Sequence, residues 1–138
     1  MVCVYCGGET AVANSRPRKK NNQVWRRRRC LACGATFTTA ESAQYGAAWQ
    51  VQCSGRRLEP FSELKLLLSL YRSCEHRKTA LGDAQGLTET VVRRLAPLMQ
   101  DGVIRGTDIA QVALVALNRF DKAAAISYQA FHADTLRP

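Results

Sequence analysis

The sequence predicts an α+β chain in two parts, a small β module followed by a hairpin-and-helix domain. Three observations predict it. Two Cys-x-x-Cys pairs, Cys3/Cys6 and Cys30/Cys33, bracket a short stretch of extended-type residues. Beyond Gln44-Tyr45-Gly46 the composition shifts to alanine, leucine and valine. From there on, apolar residues return at helical spacing about four times. The boundary is expected near residue 44, giving parts at 1–44 and 45–138.

Within 1–44, each cysteine pair is followed by glycine, Gly7 and Gly34. That suits a knuckle whose backbone turns under a bound ion and needs positive φ. Strands are expected near Ala11–Ser15, at Gln23–Arg29 and at Phe37–Thr39, with a polar turn through Lys19-Lys20-Asn21-Asn22 joining the first two. In the second part, Trp49–Cys53 alternates as a strand, Ser54-Gly55 reads as a tight turn, and Arg56–Pro60 forms the returning arm.

Ser62 is placed to cap a helix with Leu64, Leu67, Leu68 and Tyr71 at i, i+3, i+4 and i+7, running to about Glu75. Thr88 is placed to cap a second, with Val91, Val92, Leu95 and Leu98 on one stripe, shortened or kinked by Pro97 and ended by Gly102. Thr107 caps a third, whose Ile109, Val112, Ala113, Ala116, Leu117 and Phe120 face inward. A fourth runs from about Lys122 through Ile126, Tyr128 and Phe131. The chain shows no internal repeat and no low-complexity tract.

Composition narrows the function. The chain has 138 residues, 20 Lys+Arg against 11 Asp+Glu, and a formal net charge of +9. Residues 1–48 carry eight of the cations (Arg16, Arg18, Lys19, Lys20 and Arg26 to Arg29) against Glu9 and Glu41. A four-thiolate zinc site removes about two units of charge, and the first third still remains the cationic end. Residues 1–30 hold no apolar signal-peptide core, so a reducing cytoplasm is the expected compartment and metal binding the expected use of the cysteines. No apolar run approaches the roughly 20 residues that span a bilayer, so no membrane partner is expected. Two histidines, His76 and His132, without a partner at ligand or triad spacing make a poor catalytic inventory, and no enzyme is expected.

The chemistry concentrates in the first part. Four thiolates, Cys3, Cys6, Cys30 and Cys33, close a tetrahedral zinc shell and leave no position for a catalytic water, so one structural Zn²⁺ per chain is expected. The alternative, a redox dithiol, lacks its βαβ context. Structural zinc binds with an apparent free energy of roughly 10–16 kcal/mol, enough to fold a module this small. Beside it, Arg26, Arg27, Arg28 and Arg29 lie on one strand, so Arg26 and Arg28 face one side and Arg27 and Arg29 the other. Trp25 shares the latter face, either packing within the ribbon or stacking on a base. With Arg16, Arg18 and Lys19 these arginines offer guanidinium forks suited to phosphate and to the guanine edge. The bland alternative is a solvated strand.

These motifs together resemble the NrdR family, zinc-ribbon and ATP-cone repressors of ribonucleotide reductase genes. The resemblance rests on Cys3-x-x-Cys6-Gly7, Ser15-Arg16, Val24-Trp25 through Cys30-Leu31-x-Cys33, Phe37-Thr38-Thr39-x-Glu41, Glu59-Pro60-Phe61-Ser62-Glu63-Leu64-Lys65-Leu66 and Asp121-Lys122. It implies a bacterial, cytoplasmic, nucleoid-associated homo-oligomer whose ribbon binds operator boxes in double-stranded DNA. It further implies an ATP-cone-like second domain that senses ATP against dATP. The implied DNA contacts are Arg16, Arg18, Lys19 and Arg26 to Arg29; the candidate nucleotide contacts are Val51, Arg56, Arg57, Phe61 and Lys65. Where family members carry a lysine on the first cone strand and an arginine before Glu-Pro-Phe, this chain has Cys53 (or Gln52) and Leu58. The competing expectation is a zinc-ribbon module that docks on protein or RNA, with a cone that no longer takes nucleotide. Cys53 and Cys74 read as small apolar filler rather than a redox switch.

Overall fold

The computed structural model describes residues 1–53, 55 and 57–136, the Asn21 side chain excepted. The Ser54 half of the expected hairpin turn and the candidate contact Arg56 lie outside the described residues. The chain divides into two compact units, Met1–Ala43 and Gln44–Pro138.

The first unit is one antiparallel sheet of three strands, β1 (Thr10–Arg18), β2 (Gln23–Cys30) and β3 (Thr36–Ser42), in spatial order β1-β2-β3. All three are longer than the sequence signals suggest, because ladder pairing carries each strand past its β-favouring residues. A single 3-10 turn, Lys19–Asn21, and the left-handed Asn22 at φ 49° join β1 to β2. Register runs Arg16↔Trp25 and Asn14↔Arg27, then slips at Val12↔Arg28, leaving Ala13 as the extra residue of a β-bulge. Among the described residues of this unit only Cys3 and Cys30 are buried. A sheet with no apolar interior cannot offset the entropy of ordering some forty residues, so its stability has to come from elsewhere.

The second unit has a core of its own. Its sheet orders β5-β4-β6: β4 (Gln50–Gln52) pairs antiparallel with β5 (Leu58–Pro60) and parallel with β6 (Val103–Arg105). The parallel strand β6 has no sequence signal, since three residues are too few to show a period. A short helix, α1 (Tyr45–Ala48), precedes β4, and Tyr45, Trp49 and Phe61 form a ring ladder with centroids 4.5 and 5.4 Å apart. Helices α2 (Glu63–Ser73), α3 (Ala80–Leu95), α4 (Gly106–Phe120), α5 (Lys122–Phe131) and the short α6 (Ala133–Leu136) complete the unit. No helix is long and apolar enough to cross a membrane.

Helix α2 begins as expected: Ser62 Oγ accepts the Lys65 amide at 3.2 Å. Its buried line is Leu66, Leu70 and Ser73, however, with Leu67 and Tyr71 half-buried, while Leu64 is 63% exposed and Leu68 is 51% exposed. Five leucines among residues 64–70 allow several stripes, and packing against α3 and α5 selects this one. Helix α3 starts at Ala80, eight residues before the expected cap. Thr88 is buried mid-helix with its hydroxyl donating to the Ala84 carbonyl at 2.7 Å. Gly82 and Gly86 depress the helix signal here, and burial of Ala80, Ala84, Leu87 and Val91 along one face overrides it. Pro97 ends α3 in a 3-10 turn, Ala96–Leu98, and leaves Leu98 exposed.

In α4, Thr107 sits inside the first turn rather than capping it, and Phe120 is 41% exposed beneath the Arg77 guanidinium, 4.7 Å from its ring centre. On α5, Ile126 and Phe131 point outward, 67% and 69% exposed, while Ala124, Ala125 and Tyr128 fill the interior. Cys74 is fully buried as core filler and Cys53 half-buried.

Asp121 stitches these helices together. Its carboxylate accepts the Ala123 and Ala124 amides, capping α5, and pairs with Arg77 at 2.9 Å and His76 at 3.2 Å. The Ala124 amide first, then Arg77 and His76, hold its pKa down from 3.8 to about 2. Protonation is therefore easier in the unfolded chain, so this stabilisation is present above about pH 4 and lost as pH falls toward 2. Asp121→Asn, which keeps a capping oxygen but does not titrate, is expected to flatten the fall in melting temperature between about pH 4 and pH 2, followed by helical circular dichroism.

Candidate metal centre and nucleic-acid interface

The two knuckles are built alike. Cys3 N donates to Gly8 O and Gly7 N to Cys3 O, and Cys30 N donates to Ala35 O and Gly34 N to Cys30 O. Gly7 and Gly34 take φ of 71° and 73°, the positive values expected from their place after each pair. The turns bring the sulfurs of Cys3, Cys6, Cys30 and Cys33 within 4.8 Å of one another. Cys3 Sγ lies 3.8 Å from Cys33 Sγ, and Cys6 Sγ 3.5 Å from Cys30 Sγ. A tetrahedral ion with Zn–S near 2.3 Å sets its sulfurs about 3.8 Å apart, whereas a disulfide needs about 2.05 Å. This donor set fits a structural zinc.

Four thiols so close cannot all ionise without a cation. The Cys33 amide, 3.4 Å from Cys30 Sγ, draws that thiol down to about 6. Cys6 goes up to about 12, because the pull of the Gly8 amide is outweighed by the thiols of Cys33 and Cys30. A divalent ion replaces the protons that separate these two groups, so metal uptake releases protons and weakens in acid.

The ladder register sorts the arginines. Arg16 and Arg18 of β1, Trp25, Arg27 and Arg29 of β2, and Thr36 and Thr38 of β3 share one face. There the Arg18 guanidinium lies 3.6 Å over the Trp25 ring, which is 38% exposed. That stack holds Arg18 in place and occupies one side of the indole. Asn14, Arg16, Trp25, Arg27 and Thr38 line a depression of about 190 Å³. On the opposite face, Arg26 donates twice to Glu41 Oε2, at 3.2 and 2.7 Å, and Arg28 reaches Thr10 Oγ1 at 3.5 Å. Arg28 Nε is buried with no hydrogen-bond partner among the described residues. Lys19 is exposed in the turn at the end of the ribbon.

The second unit holds a cleft of about 250 Å³ between its sheet and α2, α4 and α5. Val51, Phe61, Leu66, Ile109 and Ala110 supply apolar wall, and Ser69, Tyr128, His132 and Thr135 the polar groups. Ser69 Oγ and His132 Nε2 are 2.7 Å apart, and the Tyr128 and His132 rings stack at 4.3 Å. Burial pushes the Tyr128 hydroxyl up to about 12 and pulls the His132 pKa down, so both stay neutral at physiological pH.

Comparison with known proteins agrees with this geometry. The family described as transcriptional repressor NrdR-like, N-terminal domain, matches residues 1–41. The transcriptional repressor NrdR of Symbiobacterium thermophilum is 35% identical over 128 residues, spanning 93% of this chain and 84% of its own length. Proteins of the same name from Thermus thermophilus and Rhodospirillum centenum are 37% and 34% identical, over 93% and 97% of this chain and 81% and 86% of theirs. This chain belongs to the NrdR family. The relatives are named as regulators, not enzymes.

For a NrdR chain, the placement of the expected contacts is uneven. Of the five candidates for nucleotide, Val51, Phe61 and Lys65 line the cleft. Arg57 is not among the lining residues but pairs at 2.5 Å with Glu59, which is. The polar group inside the cleft was invisible in the sequence: Ser69 and His132 lie 63 residues apart, and nothing local to either signals the other.

Since the metal replaces a core in the first unit while the second has its own, chelation at neutral pH is expected to abolish the NMR dispersion of residues 1–43. The helical circular dichroism at 222 nm should persist, and both signals should return on adding one equivalent of Zn²⁺.

Proposed function

We propose that this protein is a zinc-dependent repressor that grips operator boxes in double-stranded DNA with one face of its ribbon. The observation that carries the reading is the sorting of cations beside the metal: Arg16, Arg18, Arg27 and Arg29 emerge together on the face that also bears Trp25. Guanidinium groups on a rigid sheet bind phosphate at low entropic cost and can reach base edges in the groove. Lys19, at the ribbon end, adds a point charge. Arg26 and Arg28 serve the ribbon itself in this reading, Arg26 by holding Glu41 on β3 and Arg28 by bracing Thr10 on β1.

The finer reading follows the family: the regulated genes encode ribonucleotide reductase, and an adenine nucleotide, ATP against dATP, sets the size of a homo-oligomer through the cleft of the second unit. Support for it comes from the relatives spanning nearly the whole chain and from Val51, Phe61 and Lys65 meeting in that cleft. An effector acts only through unequal affinity for the two assemblies, since equal affinity shifts nothing. An oligomer offers two ribbons to paired half-sites and gains affinity by effective concentration.

Mobility shifts of the zinc-loaded protein on duplex, single-stranded DNA and structured RNA test the DNA reading, with duplex preferred. Arg27→Ala should lower the slope of log affinity against log salt by about 1 without changing zinc content, whereas Arg26→Ala should leave the slope unchanged. Equal binding to all three nucleic acids would instead support the protein- or RNA-docking alternative. Light scattering without nucleotide, with ATP and with dATP tests the effector: the mass should differ between the two nucleotides.

A further inference from the structure

Across the three strands of the ribbon, Asn14, Arg27 and Thr38 form one row of the cationic face, and Arg16 and Trp25 belong to the next. These five residues line the depression of about 190 Å³. Asn14 stands there because of the β-bulge. Continued without the extra residue Ala13, the register of Thr10 to Val12 would set Ala13 opposite Arg27 and Asn14 opposite Arg26, on the other face. The bulge therefore places an amide, and not a methyl group, beside Arg27.

That amide has no use within the fold. Asparagine is disfavoured inside a strand, where its short side chain competes for the backbone. Asn14 is nonetheless mid-strand and exposed, and it makes no hydrogen bond to another described residue. A residue that costs strand stability and gains no partner in the chain is expected where a ligand supplies one. The other amide on this face is engaged, since Gln23 Oε1 accepts the Trp25 indole N–H at 3.4 Å. Thr36 Oγ1 likewise accepts from Arg27 at 3.4 Å.

Charge decides which groups take the phosphates of a duplex. A guanidinium bonds phosphate about twice as strongly as a neutral amide does, and Arg16 and Arg27 flank Asn14. The amide competes best where one donor and one acceptor are wanted side by side. In the major groove, adenine offers that pair through N7 and N6, whereas guanine presents acceptors and cytosine a donor. A groove about 12 Å wide admits a two-stranded ribbon such as β1 and β2.

We propose that Asn14 is a base-reading residue of the ribbon, its side-chain amide bonding the N6/N7 edge of an adenine while the arginines around it hold phosphates. This rests on the reading of the face as a duplex-binding surface and names what part of that surface reads sequence.

The zinc-loaded full chain and its Asn14→Ala variant, matched in zinc content, are each used to select duplexes from a pool randomised over about two helical turns. The wild type should recover an adenine that the variant no longer prefers, every other base preference being kept. The salt slope should be the same for both, because an amide neutralises no phosphate. In the recovered duplex, replacing that adenine by 7-deazaadenine removes the N7 acceptor alone. It should weaken the wild type about tenfold and the variant less than about twofold. Unchanged base preferences in the variant, a lost preference for a base other than adenine, a loss of affinity equal on all sequences or a 7-deaza effect of equal size in both proteins would each overturn the inference and leave duplex binding standing. So would a wild type that binds duplex without sequence preference. A wild type that binds no duplex would overturn both.

Discussion

The convergence of four sulfurs at one end of a three-stranded sheet is the constraint on which the cationic face depends. In the first unit a bound ion takes the place of an apolar interior, since the only buried residues described there are two of the ligands themselves. Strand β2 runs directly into Cys30, so the knuckle anchors the end of the strand that carries four consecutive arginines. Once that end is held, the two-residue period of a strand decides the side on which every guanidinium emerges.

Cross-strand partners then divide four chemically identical residues into two roles. Glu41 and Thr10 share the face that holds Arg26 and Arg28 and engage them, whereas the face of Arg27 and Arg29 meets threonines and an asparagine and keeps its charge. The bulge at Ala13 maintains this division along β1, because beyond it an unbroken ladder would pair Val12 with Arg29 rather than Arg28. Stacked on Trp25, Arg18 is held where a free side chain would wander. Charge in this unit is thus displayed by a rigid frame, which limits the entropy lost on meeting a phosphate backbone.

The second unit works by the opposite means. Its helices bury a continuous apolar core, and several of its charges are paired, Arg77 with Asp83 and Asp121, Arg105 with Asp108, Arg57 and Lys65 with Glu59. Glu59, in the cleft wall, is shared by two of these cations. Two departures from the family pattern are visible in the sequence, Cys53 and Leu58 where cations are usual, so in this hairpin arm the described cation is Arg57.

The sequence by itself determined what depends on short spacing. The cysteine quartet, the glycines at positive φ, the alternation along Trp25 to Arg29, the Ser62 cap and the two-part α+β plan all follow from residue types a few positions apart. Tertiary structure decided whatever rests on contacts between distant segments. It chose among the stripes of a leucine-rich α2, extended α3 back through two glycines to Ala80, turned Ile126 and Phe131 outward, and added the three-residue strand β6 beside β4. It also brought Ser69 to His132 and set Glu59 against Lys65 and Arg57. Local propensity is a matter of tenths of a kcal/mol per residue, whereas burial of one large side chain is worth about 1.5–3 kcal/mol. Packing therefore overrides local signals wherever the two disagree, and the inside of a cleft assembled from four elements cannot be read from any one of them.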